Sequence, residues 1–294
     1  MPKEDKMNYR TTAVVATISN SFSDSILDYT VNKFNYNKVL FYTTFIAFLL
    51  QLVYGLNTDI SATMVSVPYL LIHAIVILLG YICFVKALEY LPLGLVGLIE
   101  SSNLFLTLFI DSYVGYMKIT SYFALMFVIF IFSVILFSQD CLSQEKSCIK
   151  SVKWQGCIWA SGSVLFYLTA PYIIKISDNL GANEIAINLS YYIIALPYFA
   201  YRSFSDNNKQ LYKAKWWNSL LFLSLIIGIL ESAYYVLETF SFANEAPTIV
   251  MIIEQMRIFL VFILSVIFKT DRFTIKKTIA LLLGTTSVIG VYYN

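Results

Sequence analysis

Two glutamates stand at matching positions in two apolar stretches of the chain. The stretch 96–120 reads VGLIESSNLFLTLFIDSYVGYMKIT, and the stretch 250–274 reads VMIIEQMRIFLVFILSVIFKTDRFT. At a constant offset of 154, Glu100 aligns with Glu254, and 6 of the 25 aligned positions are identical. A carboxylate within an apolar helix is costly to expose to lipid, so it faces protein or water. We therefore predict that both glutamates line a binding cavity.

At the same offset, Asn103 aligns with Arg257, an arginine that lies deep in its apolar stretch. The guanidinium fork matches a carboxylate or a phosphate, so Arg257 is a candidate for clamping an anionic group of a ligand. The alternative is a structural ion pair with Glu254, three residues earlier on the same helical face, or with Glu231.

Other apolar stretches contain further acidic and aromatic side chains. Asp24 and Asp28 are one helical turn apart, and two carboxylates this close disfavour each other's ionisation. A cation or proton site is one interpretation, and for Asp28 a helix end at the membrane interface is the other. Glu231 shares its stretch with Tyr235, which aligns with Tyr81 at the offset of 154. Carboxylate and tyrosine together suit an amine, through charge and cation–π contact.

Three more polar residues receive structural interpretations. We expect His73 to hydrogen-bond to a neighbouring helix and Glu238 to lie in solvent near a helix end. We expect the Lys86 amine to reach out of its apolar stretch and to pair with Glu89, three residues later.

These observations define a predicted site and its chemistry. Glu254 and Asp24 are the predicted proton carriers, because burial disfavours the ionised form of a carboxylate. Deep carboxylates outnumber deep bases, which favours a cationic, zwitterionic or proton-coupled solute over a polyanion. One histidine and four cysteines without ligand spacing predict no metal and no cofactor. The predicted substrate-binding residues are Glu100, Glu254, Arg257, Asn103, Asp24, Glu231, Tyr235 and Tyr81.

The composition is that of a membrane protein. The chain is 59% hydrophobic and 13% charged, against roughly 25% charged residues in a soluble domain. Without a basic stripe, nucleic acid is excluded as a partner, and the expected partners are a small-molecule solute and the lipid bilayer. The N-terminal region lacks a signal-peptide core. We predict a multi-pass membrane protein, in the cell inner membrane if bacterial, whose oligomeric state stays open and is compatible with a monomer.

Ten stretches approach the length of about 20 mainly apolar residues that a spanning helix needs. A long connection at 139–153 separates the first five from the last five. We therefore predict an all-α membrane protein with ten transmembrane helices, in a first five-helix repeat at 1–150 and a second at 151–294. An odd number of spans per repeat gives the two repeats opposite orientations. The predicted spans are 11–30, 38–57, 65–88, 92–113, 119–138, 154–175, 183–203, 217–240, 246–268 and 275–293.

Two signals disagree on which side of the membrane the termini lie. Lysines and arginines concentrate in the connections on the side opposite the N-terminus, which by the positive-inside rule places both termini outside. A disulfide between Cys141 and Cys148 would require the reverse, because their loop would face an oxidising space. Two unpaired thiols are the alternative.

The stretch 87–111, ALEYLPLGLVGLIESSNLFLTLFID, resembles the EamA-like branch of the drug/metabolite transporter superfamily. In that family the third helix ends in an Ala-Leu-x-Tyr sequence, and a short turn then leads into an apolar fourth helix. The stretch 238–268 resembles it more loosely. Where the family often has Gly-Glu, this chain has Gly115-Tyr116. The resemblance implies ten helices, a central cavity between the repeats, alternating access of small organic solutes and cytoplasmic termini.

The predicted function is secondary active transport of a small polar metabolite, such as an amino acid, an amine or a related zwitterion. Coupling of this transport to protons is one form of the prediction. An antiporter of an anionic metabolite, such as a sugar phosphate or a nucleotide sugar, is the alternative, and it would need more deep cations than Arg257. An intramembrane enzyme is the alternative from another class. A single histidine and no Gly-x-Ser-x-Gly motif argue against it, so we expect no catalytic residues.

Overall fold

The computed structural model describes residues 9–31, 33–114, 118–143, 154–205 and 214–291. These residues form twelve α-helices and no β-strand. The helices are α1 (Tyr9–Val31), α2 (Tyr36–Thr58), α3 (Val67–Tyr90), α4 (Leu93–Glu100), α5 (Ser102–Val114), α6 (Ser121–Ser143), α7 (Trp154–Asn179), α8 (Glu184–Ser205), α9 (Ala214–Asn244), α10 (Pro247–Glu254), α11 (Arg257–Ile267) and α12 (Ile275–Val291).

Seven helical segments are long and apolar enough to cross a membrane, which indicates a multi-pass membrane protein. Each of the ten predicted spans coincides with helix, but α1, α8 and α12 are not among the seven. α12 has 17 residues, and α1 contains several buried polar side chains. The seven segments are Tyr36–Thr58, Val67–Tyr90, Leu93–Val114, Ser121–Asp140, Trp154–Asn179, Ser219–Asn244 and Pro247–Ile267.

Local sequence sets several helix ends. Asn35 caps the N-terminus of α2. Its side chain accepts hydrogen bonds from the backbone N–H groups of Asn37 and Lys38 at 3.0 and 3.3 Å. α3 stops before Pro92, since a proline forces the preceding residue, Leu91, into extended backbone. α10 starts with Pro247 at its first position, where the missing N–H costs nothing.

The fourth predicted span is interrupted directly after Glu100, the last residue of α4. There the Ser101 hydroxyl donates to the Gly97 carbonyl at 2.7 Å, and the Ser102 hydroxyl donates to the Ile99 carbonyl at 2.7 Å. Serine hydroxyls that bond back to preceding carbonyls bend helices. The interruption therefore has a sequence cause, and Glu100 is the residue directly before it.

The ninth predicted span is interrupted at the matching place, after Glu254, the last residue of α10. The backbone N–H of Met256 donates to Ile253 at 3.1 Å, and that of Ile258 donates to Gln255 at 3.2 Å. Each bond joins an N–H group to the carbonyl three residues earlier, and this pattern tightens the backbone into a 3₁₀ turn. α11 resumes at Arg257.

Helices of the first half of the chain pack against helices of the second half. α1 packs along α9, and α7 packs along α3; α2 contacts α9, and α8 contacts α3. α4 contacts α11, and α5 contacts α10, so the two interrupted helices pack against each other in opposite chain directions. α3 and α7 pack tightly at Gly80, where an added Cβ would lie 2.7 Å from the Tyr167 ring.

Candidate ligand-binding site

A cavity of about 100 Å³ lies in the interior, at the two helix interruptions and between α1, α3, α7 and α9. Its wall includes five carboxyl groups, those of Asp24, Glu100, Glu231, Glu238 and Glu254. All eight predicted substrate-binding residues line it, although they come from seven different helices. The structure thus brings the whole predicted set together, and their role in binding a solute stays a prediction.

Arg257 is held by carboxylates from two other helices. Its Nη2 donates to Glu100 Oε2, and its Nη1 lies 3.5 Å from Asp24 Oδ2. Glu100 Oε1 also accepts a hydrogen bond from the Ser163 hydroxyl of α7 at 2.9 Å. The result is a network in which one guanidinium is paired with two carboxylates.

The alternative interpretation of Arg257, an ion pair with Glu254 or with Glu231, does not match its partners in the structure. Among the described residues, the ion pairs of Arg257 go to Glu100 and Asp24 instead. Residues three apart share a face in a continuous helix, but the 3₁₀ turn between Glu254 and Arg257 changes that relation.

Glu254 lies beside a second acidic side chain, Glu238 of α9. The two carboxyl groups interact with each other, and Glu238 Oε1 accepts a hydrogen bond from the Tyr234 hydroxyl. Glu254 Oε1 is buried and has no hydrogen-bond partner within the described ranges. Glu238 was expected in solvent near a helix end; α9 instead continues to Asn244, and the half-buried Glu238 side chain lines the cavity.

A third acidic side chain, Glu231, is bound to a tyrosine. The Tyr81 hydroxyl of α3 donates to Glu231 Oε1 at 2.8 Å, and both side chains are buried. The ring of Tyr235 packs against those of Tyr191 and Tyr234, with centroids 5.5 and 5.1 Å apart. The tyrosines that align at the offset of 154 therefore both line the cavity, next to carboxylates.

Besides Glu254 Oε1 and Asp24 Oδ2, two buried polar atoms of cavity-lining residues have no hydrogen-bond partner in the described part of the chain. They are Asn103 Oδ1 and His73 Nδ1, on side chains that are 6% and 3% exposed. The hydrogen bond predicted for His73 is not made by this atom. Asn188, by contrast, is satisfied: it donates to the Tyr235 carbonyl at 3.1 Å and accepts from the Thr239 hydroxyl at 2.8 Å.

The remaining sequence-based predictions have different outcomes. Lys86 pairs with Glu89 at 2.8 Å, as predicted. Asp28 lies in the last turn of α1, at a helix end as one interpretation expected, and its side chain is buried. The question of a disulfide involving Cys148, and the Gly115-Tyr116 pair, lie outside the described residues.

The sequence interpretation also left out several lining residues. The missing residue with the clearest signal was Glu238: Glu231, Tyr234, Tyr235 and Glu238 follow the three- and four-residue spacing of one helical face. The polar lining residues that the predicted set left out are Asn20, His73, Tyr167, Asn188, Tyr234, Glu238, Thr239 and Gln255. No group of three or more His, Cys, Asp or Glu side chains that could hold a metal occurs in the ranges that the structure covers.

Comparison with known proteins identifies the fold alone. No protein-family model and no curated protein matches the chain. A solved structure described as "Crystal structure of protein" superposes with a TM-score of 0.69, over 97% of this chain and 95% of that chain, at 10% identity. The whole chain thus shares its architecture with a solved protein. With its seven apolar helices, it belongs to the class of all-α, multi-pass membrane proteins.

Proposed function

We propose that this chain is a secondary active transporter of a small polar organic solute, working by alternating access. We further propose that it belongs to the EamA-like branch of the drug/metabolite transporter superfamily. In this proposal its ten spans form two inverted five-helix repeats, at 1–150 and 151–294. The observation that carries the proposal is a buried cavity, lined by ionisable side chains, at the point where two interrupted helices meet.

Element boundaries support the repeats. α4 and α10 differ by the same 154 residues at their first and last positions, Leu93 and Pro247, then Glu100 and Glu254. Helix packing supports them as well, because exchanging the halves turns the α1–α9 contact into α7–α3 and the α2–α9 contact into α8–α3. Such an exchange is expected of repeats related by a twofold axis in the membrane plane.

The chemistry of the cavity supports transport. Ionisable side chains within spanning helices are costly, and they mark the paths of solutes and protons. Secondary transporters place their sites at discontinuous helices near the interface of the repeats. Here each interruption contributes a glutamate, Glu100 or Glu254, to the same cavity.

The alternatives fit the cavity less well. An antiporter of a sugar phosphate or a nucleotide sugar needs cations free to bind phosphate, whereas Arg257 is already paired with two carboxylates. A hydrolytic enzyme needs a nucleophile activated by a neighbouring base. His73, the single histidine of the chain, has no hydrogen bond at Nδ1 to any described side chain.

A thermal-shift screen followed by a flux assay tests the proposal. The purified full chain is screened against amino acids, amines, nucleosides and sugar phosphates, because a ligand that binds the folded form raises its apparent stability. The hit is then assayed for uptake into liposomes that contain the protein. Stabilisation by anions alone would favour the anionic antiporter.

The Glu254→Gln variant tests whether a carboxyl group of the cavity is needed for flux. It removes the charge of a cavity-lining carboxyl and keeps its shape, so we expect loss of flux with the fold retained in circular dichroism and gel filtration. Glu89→Gln is the control, because Glu89 forms an exposed ion pair away from the cavity. Undiminished flux in Glu254→Gln would remove Glu254 from the mechanism.

A further inference from the structure

We infer that the solute is an organic cation with N–H donors and no carboxylate, such as an amine or a guanidine, and that its charged group binds at Glu254 and Glu238. This inference rests on the proposed transport function and narrows its solute class. It selects simple amines over amino acids, whereas the sequence allows both classes as solutes.

The first argument is that protein carboxylates already neutralise Arg257. Its guanidinium is paired with Glu100 and Asp24, and Glu100 is held in turn by Ser163. A carboxylate on the solute would compete with these two buried anions for the same cation. An amino acid therefore gains little from the group that would be expected to recognise it.

The second argument is that two unsatisfied side-chain oxygens of the cavity, which lie in the same lining as His73 Nδ1, can accept hydrogen bonds. Glu254 Oε1 is buried and has no hydrogen-bond partner in the part of the chain that the structure covers, and the same is true of Asn103 Oδ1. Ammonium and guanidinium groups carry several N–H donors and no acceptor. A ligand of that class completes the hydrogen bonding that these oxygens lack.

The third argument concerns charge and aromatic surface. Glu238 and Glu254 interact directly, and the Tyr234 hydroxyl, a neutral donor, bonds to Glu238. No described cation is paired with either glutamate in the manner of Arg257 and Glu100. The rings of Tyr234 and Tyr235 line the same cavity, and tyrosine faces attract cations.

Matched ligand pairs test the inference on the purified full chain. Cadaverine and lysine differ by one carboxylate, as do agmatine and arginine. We expect cadaverine or agmatine to bind at least about tenfold more tightly than its amino acid in calorimetry, a difference of about 1.4 kcal/mol. N-permethylated cadaverine, which has no N–H donor, is expected to bind more weakly than cadaverine itself.

Variants connect the selectivity to the two glutamates. Glu238→Gln and Glu254→Gln should each weaken binding of the preferred amine by about tenfold or more, whereas Glu89→Gln should leave it unchanged. If either variant fails to fold, the comparison of ligand pairs on the unaltered protein still decides the question.

The outcomes separate this inference from the proposed function. Tighter binding of lysine or arginine would overturn the inference and show that Arg257 accepts a carboxylate, with transport intact. Transport of a neutral or anionic solute without amine binding would also overturn the inference alone. If no screened compound binds and liposomes show no flux of any of them, the transporter proposal itself fails, and the inference fails with it.

Discussion

Arg257, the first residue of α11, forms an ion pair with Glu100, the last residue of α4, across 157 positions of the sequence. Asp24 of α1 lies on the same guanidinium, at 3.5 Å from Nη1. One cation thus connects both helix interruptions to the first helix. Because the three charges are shielded from solvent, removing one of them leaves a charge that water cannot fully stabilise.

Breaking this pair should destabilise the protein in a non-additive way. We expect Glu100→Gln and Arg257→Gln each to lower the thermal unfolding temperature in detergent. The double variant should lose less than the sum of the two, with a coupling free energy of about 0.5–3 kcal/mol, as found for residues in contact. Additive losses would show that the pair does not contribute to stability. Glu89→Gln serves as the surface control.

Binding of the solute cation should weaken as the pH falls. Glu254 lines the cavity with Glu238 and Tyr234 of α9 and Arg257 of α11, and a carboxylate oxygen that binds a cation also binds a proton. A cation and a proton therefore compete for these carboxylates, so affinity and flux should rise from pH 5 to pH 8. Each displaced proton contributes up to about tenfold per pH unit. The measurement is uptake into liposomes with equal pH on both sides, and a rate unchanged over this range would contradict the prediction.

Asp111 should contribute to stability through the start of α10. Its carboxylate accepts hydrogen bonds from the Thr248 hydroxyl, from the Thr248 backbone N–H at 3.3 Å and from the Tyr172 hydroxyl at 2.8 Å. It thereby supplies the helix cap that Ala246, at the cap position, has no side chain to provide. Asp111→Asn should lower the free energy of unfolding by about 1–3 kcal/mol. Denaturation in detergent measures it, with Asp178→Asn at the half-buried end of α7 as the control.

Two glycines should respond differently to the same substitution. In Gly80→Ala the new methyl would lie 2.7 Å from the ring of Tyr167, a cavity-lining residue, so we expect lower stability and altered solute binding. In Gly97→Ala the methyl meets no atom within 4 Å. Gly97→Ala should therefore be neutral or stabilising by about 0.4–1 kcal/mol, because alanine restricts the unfolded chain. Equal unfolding temperatures for the two variants would contradict the packing described for α3 and α7.

Features that depend on near neighbours in the chain were predictable. Pro92 and Pro247 indicated helix boundaries through the conformations that proline allows. The spacing of Lys86 and Glu89 predicted their ion pair, and the polarity of Glu100 and Glu254 within apolar stretches predicted that both avoid lipid.

Features that depend on helices far apart in sequence were not predictable. The alternative interpretation paired Arg257 with Glu254, three residues earlier, or with Glu231 of α9, whereas its ion pairs go to Glu100 and Asp24. Glu238 was placed in solvent because the end of α9 cannot be located to within a turn from hydropathy.

The sequence by itself determined that this chain is an apolar, helical membrane protein, and which polar side chains need a protein or water environment, since transfer to lipid depends on each residue alone. Only the tertiary structure decided that the predicted residues from seven helices share one cavity, and which carboxylates neutralise Arg257. Those relations depend on helix packing and on the turns at the two interruptions, and distances across a hundred or more residues are not encoded in local pattern.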